Sequence, residues 1–349
     1  MGITKRKFGV LRGTDVTEYR LENANGLLIC ALDYGGIVTE VRVPDRDGKF
    51  ENVSLGFTTL DEYLAHSPYF GALVGRIAGR IRGGKFELDG EVYELTKNAG
   101  ENQVHGGPNN FSKTIWDAEP FEVDGAVGLK LALTSPDGMN GFPGKLEVEV
   151  TYTLTNNDEW KIKYEAKSDA KTVFNPTNHI YFNLTGDASQ TVLGHELRLT
   201  SDYFAAQGED SIPTGALVDV TGTVFDFRDG RAIRDGTLSE DAQTRLVGDG
   251  YDHAFLLDHA TADVDARLYD PVSGRVMTMK TDCDSVVVYT SNHFSGAFQI
   301  DGKTVPKYAG ITMETQGLPN AMNEANFGSV VLEQDELFES ETVFRFDVK

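Results

Sequence analysis

The sequence predicts an all-β protein: one large antiparallel β-sandwich of two packed sheets, with few short helices. Three observations predict it. Apolar residues alternate with polar ones over long stretches, the period of a half-buried strand. Asp-Gly pairs, which suit tight hairpin turns, occur at Asp47, Asp89, Asp124, Asp137, Asp229, Asp235, Asp249 and Asp301. Helical periodicity is sparse, whereas a βαβ chain would alternate strand and helix throughout.

In chain order, a helix of one or two turns is predicted over 60–64. Residues 86–95 form a hairpin around Asp89-Gly90. Leu146, Val148, Val150, Tyr152 and Leu154 alternate with polar residues, Asn156-Asn-Asp158 turns the chain, and Trp160, Ile162, Tyr164 and Ala166 return it. That is a hairpin with one face in a core and the other in water. Pro176 and Thr177 mark a bend, and Ile180-Tyr-Phe182 a buried strand. A short surface helix is predicted over 238–246. No fixed-period repeat, low-complexity tract or linker divides the chain, so residues 1–349 are expected to form a single domain.

Composition narrows the function. A chain of 349 residues with 40% hydrophobic and 10% aromatic content can bury a large core. The 54 acidic side chains outnumber the 32 basic ones, for a formal net charge of -22. This argues against nucleic acid, an anionic membrane surface and, without a local basic patch, a highly anionic substrate. Cys30 and Cys283 show neither metal spacing nor a disulfide framework, which fits a reducing interior. No apolar region follows the charged start Met1-Gly-Ile-Thr-Lys-Arg-Lys-Phe8, so no signal peptide is expected. Arg6 stands where a myristoylation pattern needs Ser or Thr. No run approaches ~18 apolar residues, so no membrane span is expected. The expected location is cytoplasmic, where the sequons at Asn52 and Asn183 carry no meaning.

Five stretches hold residues suited to chemistry. Phe174-Asn-Pro-Thr-Asn-His-Ile-Tyr-Phe-Asn-Leu184 sets His179 among the amides of Asn175, Asn178 and Asn183, which are able to fix a histidine's tautomer by hydrogen bonding. The ordinary alternative is a satisfied core histidine. Gly75-Arg-Ile-Ala-Gly-Arg-Ile-Arg-Gly-Gly84 lacks both the Gly-x-Gly start of a dinucleotide loop and the Gly-Lys-Ser/Thr end of a phosphate loop. Its glycines are expected to serve turns and its arginines to face water. Gln103-Val-His-Gly-Gly-Pro108 puts His105 before two residues that permit unusual backbone angles, and an exposed turn histidine is the equal alternative. Gly250-Tyr-Asp-His-Ala-Phe255 offers Asp252, which is also a plausible turn cap. Gly310-Ile-Thr-Met-Glu-Thr-Gln-Gly317 ends an apolar strand with Glu314, a carboxylate that a solvent-facing role would equally suit. Together they offer two imidazoles, two carboxylates and a guanidinium, all at strand ends or loops, where sites on rigid β scaffolds form.

In this order the stretches resemble the aldose 1-epimerases, or mutarotases, over residues 35–346. The carriers are Gly75-Arg-Ile-Ala-Gly-Arg80, Val104-His-Gly-Gly107, Gly141-Phe-Pro-Gly144, Thr177-Asn-His-Ile-Tyr-Phe-Asn-Leu184, Tyr251-Asp-His253 and Glu314-Thr-Gln316. The resemblance implies a galactose mutarotase-like supersandwich with a sugar-binding cleft and no metal or organic cofactor. It implies an isomerase that interconverts the α and β anomers of a free hexose such as galactose or glucose. By position, His179 matches the general acid and Glu314 the general base, with His105 beside them as a further catalytic residue. Arg80, Asp252 and Asn178 take substrate-binding places. Two departures bear on substrate preference more than on the reaction: Gly79 stands where many relatives have Asn, and Gln103-Val104 replaces a commoner lead-in to His-Gly-Gly.

Anomer exchange needs the C1 hydroxyl to lose a proton while the ring oxygen gains one. The ring opens to the aldehyde, C1–C2 rotates, and the transfers reverse. One base and one acid suffice, each typically contributing ~10²–10⁴-fold. Glu314 is expected to be the base and protonated His179 the acid, since an imidazole with a pKa of roughly 6.5 is accessible in both states. Among the rivals, a hexose-6-phosphate 1-epimerase needs convergent cations, and the one local cluster is Arg76, Arg80, Arg82 and Lys85. A glycoside hydrolase would use Asp252 and Glu314 as its carboxylate pair. A non-catalytic sugar-binding protein would not need both His179 and Glu314. A zinc site at His105, His179 and Glu314 lacks the His-Glu-x-x-His type of spacing. The expected partner is a monosaccharide, on a monomer or homodimer.

Overall fold

Period-two burial builds the molecule. Strand Leu146–Thr155 buries Leu146, Val148, Val150, Tyr152 and Leu154, and pairs with Glu159–Ser168 in the register Leu154 to Trp160. The computed structural model describes residues 1–260 and 263–349. The predicted 146–166 hairpin lies inside a nine-stranded sheet, between Ala126–Ser135 and the C-terminal strand Leu337–Val348. A six-stranded sheet runs Tyr181–Phe182, Ile311–Gln316, Ser285–Tyr289, Asp252–Leu256, Tyr203–Gln207 and Pro213–Asp219. The two sheets pack face to face; Thr315 of the smaller meets Thr342 of the larger at 2.6 Å between hydroxyls. Among the described residues every ladder is antiparallel, and the parallel contact is an isolated bridge between Ile77 and Asn175.

Two packed sheets were expected; a third is present. Residues from Gly2–Leu11 to Phe50–Asn52 form a separate five-stranded meander, whose Leu21, Ile29 and Val41 join the same apolar core. The turn signals divide by context. Asp89-Gly90 closes a two-residue hairpin with both residues at positive φ, 52° and 84°. Asp124-Gly125 and Asp301-Gly302 also close hairpins, but Asp235-Gly236 lies inside the short helix Arg234–Thr237. The predicted 238–246 helix is therefore shifted and split. A second helix, Ala242–Leu246, starts at Asp241, whose carboxylate accepts from the Gln243 amide, while Leu238 stays 78% exposed. Helix Leu60–His66 runs longer than 60–64, held by a reciprocal Thr59–Glu62 capping box. Among the described residues no helix is long and apolar enough to cross a membrane.

Alternation in the six-stranded sheet positions the site. In register across three strands, Thr312, Tyr289 and Asp252 lie on one face, with Glu314, Val287 and Ala254 beside them. Met313, Val288 and His253 project from the opposite face, where Met313 and Val288 join the core. The outer face is the floor of a cleft.

Candidate active site

His179 ends the strand Thr177–His179, which pairs with Ala72–Val74. After Ile180 the chain enters Tyr181–Phe182, paired with Ile311–Gln316 through Tyr181 and Thr312. Two of the three predicted amides clamp this stretch to the Glu314 strand. Asn175 donates to the Gly317 carbonyl at 3.0 Å and accepts from the Gly317 amide at 2.7 Å, beyond one end of that strand. Asn183 donates to the Ala309 carbonyl at 2.7 Å, beyond the other. The clamp brings His179 Nε2 to 3.4 Å from Glu314 Oε1, both side chains buried.

The amides therefore act differently from the expectation. None of them bonds the imidazole, and His179 Nδ1 has no protein partner. The ring is held by aromatic neighbours: Tyr69 stacks at 5.7 Å between centroids, Tyr181 lies at 5.1 Å, and His105 meets it edge-on at 5.2 Å. Asn178 is not brought into the cleft. Strand alternation turns it to the other side, where its amide donates to the Gly71 carbonyl and the Tyr152 hydroxyl.

His105 is set by its own backbone. It adopts φ 52°, and Gly106 follows at φ 80° so close to the Gly75 carbonyl that a Cβ would collide with it. Gly79 grips the histidine from both sides: its carbonyl accepts from the His105 amide at 3.0 Å, and its amide donates to His105 Nδ1 at 3.2 Å. Nδ1 is thus an acceptor, which leaves the proton on Nε2 as a donor. Burial, with His179 and Arg80 nearby, holds the pKa of His105 well below the ordinary histidine value, so this donor is neutral.

Arg80, His105, His179, Asp252 and Glu314 line one cleft of about 210 Å³. Five of the six residues assigned from the sequence thus converge. The cleft also holds Tyr69, Gln207, Tyr289, His293 and Gln316. Gln316 was visible as part of Glu314-Thr-Gln316, two residues on and so on the same strand face. Gln207 and Tyr69 carried no signal. Both amide atoms of Gln316 and Oε1 of Gln207 are buried without a protein partner, so polar groups here are left for a polyhydroxylated ligand.

The electrostatics revise one expectation. Burial pushes the Glu314 carboxyl up to about 8, against the opposing hydrogen bond from Thr312 and the charge of Arg80. Burial pulls His179 down to about 4, opposed by its own backbone and by Asp252. Near neutral pH the imidazole is therefore neutral and the proton sits on Glu314, the reverse of the protonated histidine expected from an unperturbed pKa. Asp252 is pushed up to about 6 by burial, with Arg80 drawing it back.

Of the three arginines in the stretch 75–84, Arg82 faces water as expected, its side chain 52% exposed, while Arg76 is buried and Arg80 half-buried. Arg76 is 2% exposed and donates to the carbonyls of Ser135, Pro136, Pro143 and Gly144, pinning the Gly141-Phe-Pro-Gly144 loop. Arg82 pairs with Glu324 at 3.3 Å. Arg80 alone of these faces the cleft. Among the described residues no group of three or more His, Cys, Asp or Glu side chains is placed to hold a metal ion.

The profile of the aldose 1-epimerase family matches residues 17–345. The chain is 37% identical over 353 residues to the galactose mutarotase of Sus scrofa, covering 100% of this chain and 99% of that protein. It is 35% identical to the maltose epimerase of Levilactobacillus brevis, with all of both chains covered. In structure it is similar to galactose 1-epimerase from Lactobacillus acidophilus NCFM, with a TM-score of 0.89, 32% identity and 99% of each chain covered.

Proposed function

The chain belongs to the aldose 1-epimerase family and is a carbohydrate isomerase, and we infer that it interconverts the α and β anomers of a free hexose such as galactose or glucose by acid/base-catalysed ring opening. The observation that carries the residue assignment is the 3.4 Å approach of His179 to Glu314 in a buried, polar cleft. Between about pH 4 and about pH 8 this pair holds one proton. In the reactive state that proton lies on His179, so Glu314 accepts from the C1 hydroxyl and His179 donates to the ring oxygen. The neighbouring charges favour that state: Arg80 lowers the pKa of Glu314, and Asp252 raises that of His179. Sugar hydroxyls replacing water against both groups supply the rest. After C1–C2 rotation the transfers run backwards, leaving the pair with its single proton.

His105 donates through Nε2 to oxygen charge that develops as the ring opens. Arg80 and Asp252, with Gln207 and Gln316, hold the remaining hydroxyls. Asn178 supports His179 from behind rather than binding sugar. Several broader features belong to the same proposal: residues 1–349 work as one domain, in the cytoplasm, as a monomer or homodimer, without nucleic acid. The net charge of -22 supports the last.

Polarimetry on pure α-D-galactose and α-D-glucose tests the reading. Wild-type protein should accelerate equilibration of at least one, and glucose 6-phosphate should compete poorly. The phosphate reading is disfavoured because Arg76 and Arg82 are engaged elsewhere. Release of phenol from an aryl galactoside would instead point to the carboxylates Asp252 and Glu314 as a hydrolytic pair.

A further inference from the structure

A second cavity, larger than the sugar cleft, backs onto it through one side chain. It encloses about 520 Å³ between the first hairpin, the segment after helix Leu60–His66, and the loop around Pro108. Tyr69 lines both spaces. In a chain with 54 acidic side chains, this cavity has no carboxylate in its wall, and it carries two cations, Arg12 and Lys113. Among the described residues neither cation forms an ion pair with a carboxylate, although the protein is rich in them. The wall adds hydroxyl donors. Ser67 accepts from the Phe70 amide at 3.0 Å, which leaves its own proton free, and Tyr34 adds a buried phenol that burial keeps protonated, raising its pKa against the opposing charge of Arg12.

Such a set matches an anion with several acceptor oxygens. Two cations and two hydroxyls satisfy a phosphate, while Tyr34, Ile37 and Tyr63 provide apolar surface for a short carbon chain. A net charge of -22 would repel an anion elsewhere on the surface, so local cations without competing carboxylates are the condition for holding one. We propose that this cavity is a second ligand site, for a small phosphate monoester, and that its occupancy is felt in the sugar cleft through Tyr69. Tyr69 is held at φ 66°, stacks on His179 and meets His105 edge-on at 4.7 Å. A ligand pressing on its outer face biases the placement of both histidines. By linkage, the ester and the sugar then alter each other's affinity by one common factor.

The probe is glycerol 3-phosphate, titrated calorimetrically into the full chain with and without saturating galactose. The comparison variant is Arg12→Asn with Lys113→Ala; Asn tolerates the φ of 50° at position 12. Neither residue lies in the sugar cleft, so the variant should keep basal anomer exchange. Lys113→Ala alone serves if the double variant folds poorly. The proposal expects one ester per chain, affinity falling with salt, a loss of roughly tenfold or more in the variant, and a shift of the galactose KM by the ester in wild type only. It is overturned by no ester binding, by equal binding to the variant, by strict competition with galactose, or by binding that leaves the galactose KM unmoved. Maltose binding there in preference to the ester also overturns the anionic class. The binding measurements do not depend on mutarotation, so a failure of the proposed function would leave them readable.

Discussion

His179 Nε2 and Glu314 Oε1 stand 3.4 Å apart; the strand Tyr181–Phe182 just after His179 pairs with the Glu314 strand, and the Asn175 and Asn183 clamps tie the two segments together. Burial acts on the two groups in opposite directions and leaves them one proton to share.

A bell-shaped pH profile follows. Below about pH 4 His179 takes a second proton and Glu314 has already kept its own, so no base remains. Above about pH 8 Glu314 loses the only proton and no acid remains. The kcat/KM of the free enzyme should therefore show limbs near those two values, with a shallower step near pH 6 as Asp252 titrates. An acid limb near the ordinary histidine pKa that persists in Asp252→Asn would contradict this sharing.

Glu314→Gln should stabilise the unliganded protein at high pH. The folded-state pKa of Glu314 is about 8, above its ordinary 4.5, so its contribution is fully present below the lower value and lost as pH rises through the upper one. Gln imitates the protonated carboxyl at every pH. Denaturant unfolding should show little difference between the two proteins at pH 5 and a gain of the order of a few kcal/mol for the variant at pH 9. A constant difference across that range would mean that Glu314 is not held protonated by burial.

Asn175→Ala removes the paired bonds to Gly317 and frees one end of the clamp. Unfolding should show a loss of about 1–3 kcal/mol. Because Asn175 touches no sugar and only positions the pair, kcat should fall while KM stays near the wild-type value, and the pH limbs should shift as the two groups separate. A change in KM alone would make it a binding residue instead.

Gln316→Ala should behave in the opposite way. Its amide has no protein partner, so little stability is lost, yet both atoms face the sugar space. The expected loss is about 1–3 kcal/mol in kcat/KM for the preferred sugar, read from initial rates. A deoxy sugar lacking the bonded hydroxyl should show no such loss.

Much of this was legible in the sequence because the relevant chemistry is local. Alternation reveals strands and Asp-Gly reveals turns, whereas Glu314 was singled out by the family resemblance and lies inside the strand Ile311–Gln316 rather than at its end. The same alternation explains the misplaced residue: Asn178 adjoins His179 in sequence and must therefore face the opposite way. Tyr69 arrives from a remote loop and Gln207 from the end of strand Tyr203–Gln207, with nothing local to mark either. The location of the shared proton was illegible for another reason. Desolvation depends on everything packed around a group, and an unperturbed pKa contains none of it. Arg76 shows the same limit, since its carbonyl cage is assembled from two remote segments, 135–136 and 143–144.

The central claim is that His179 and Glu314 act as one unit on one hemiacetal. Anomer exchange of D-galactose followed by NMR, in wild type, His179→Asn, Glu314→Gln and the double variant, tests it most directly. Each single change should slow exchange by roughly 10²–10⁴-fold, and the double variant should be little slower than the worse single one. Wild-type exchange in either single variant, or losses that multiply in the double, would contradict the account.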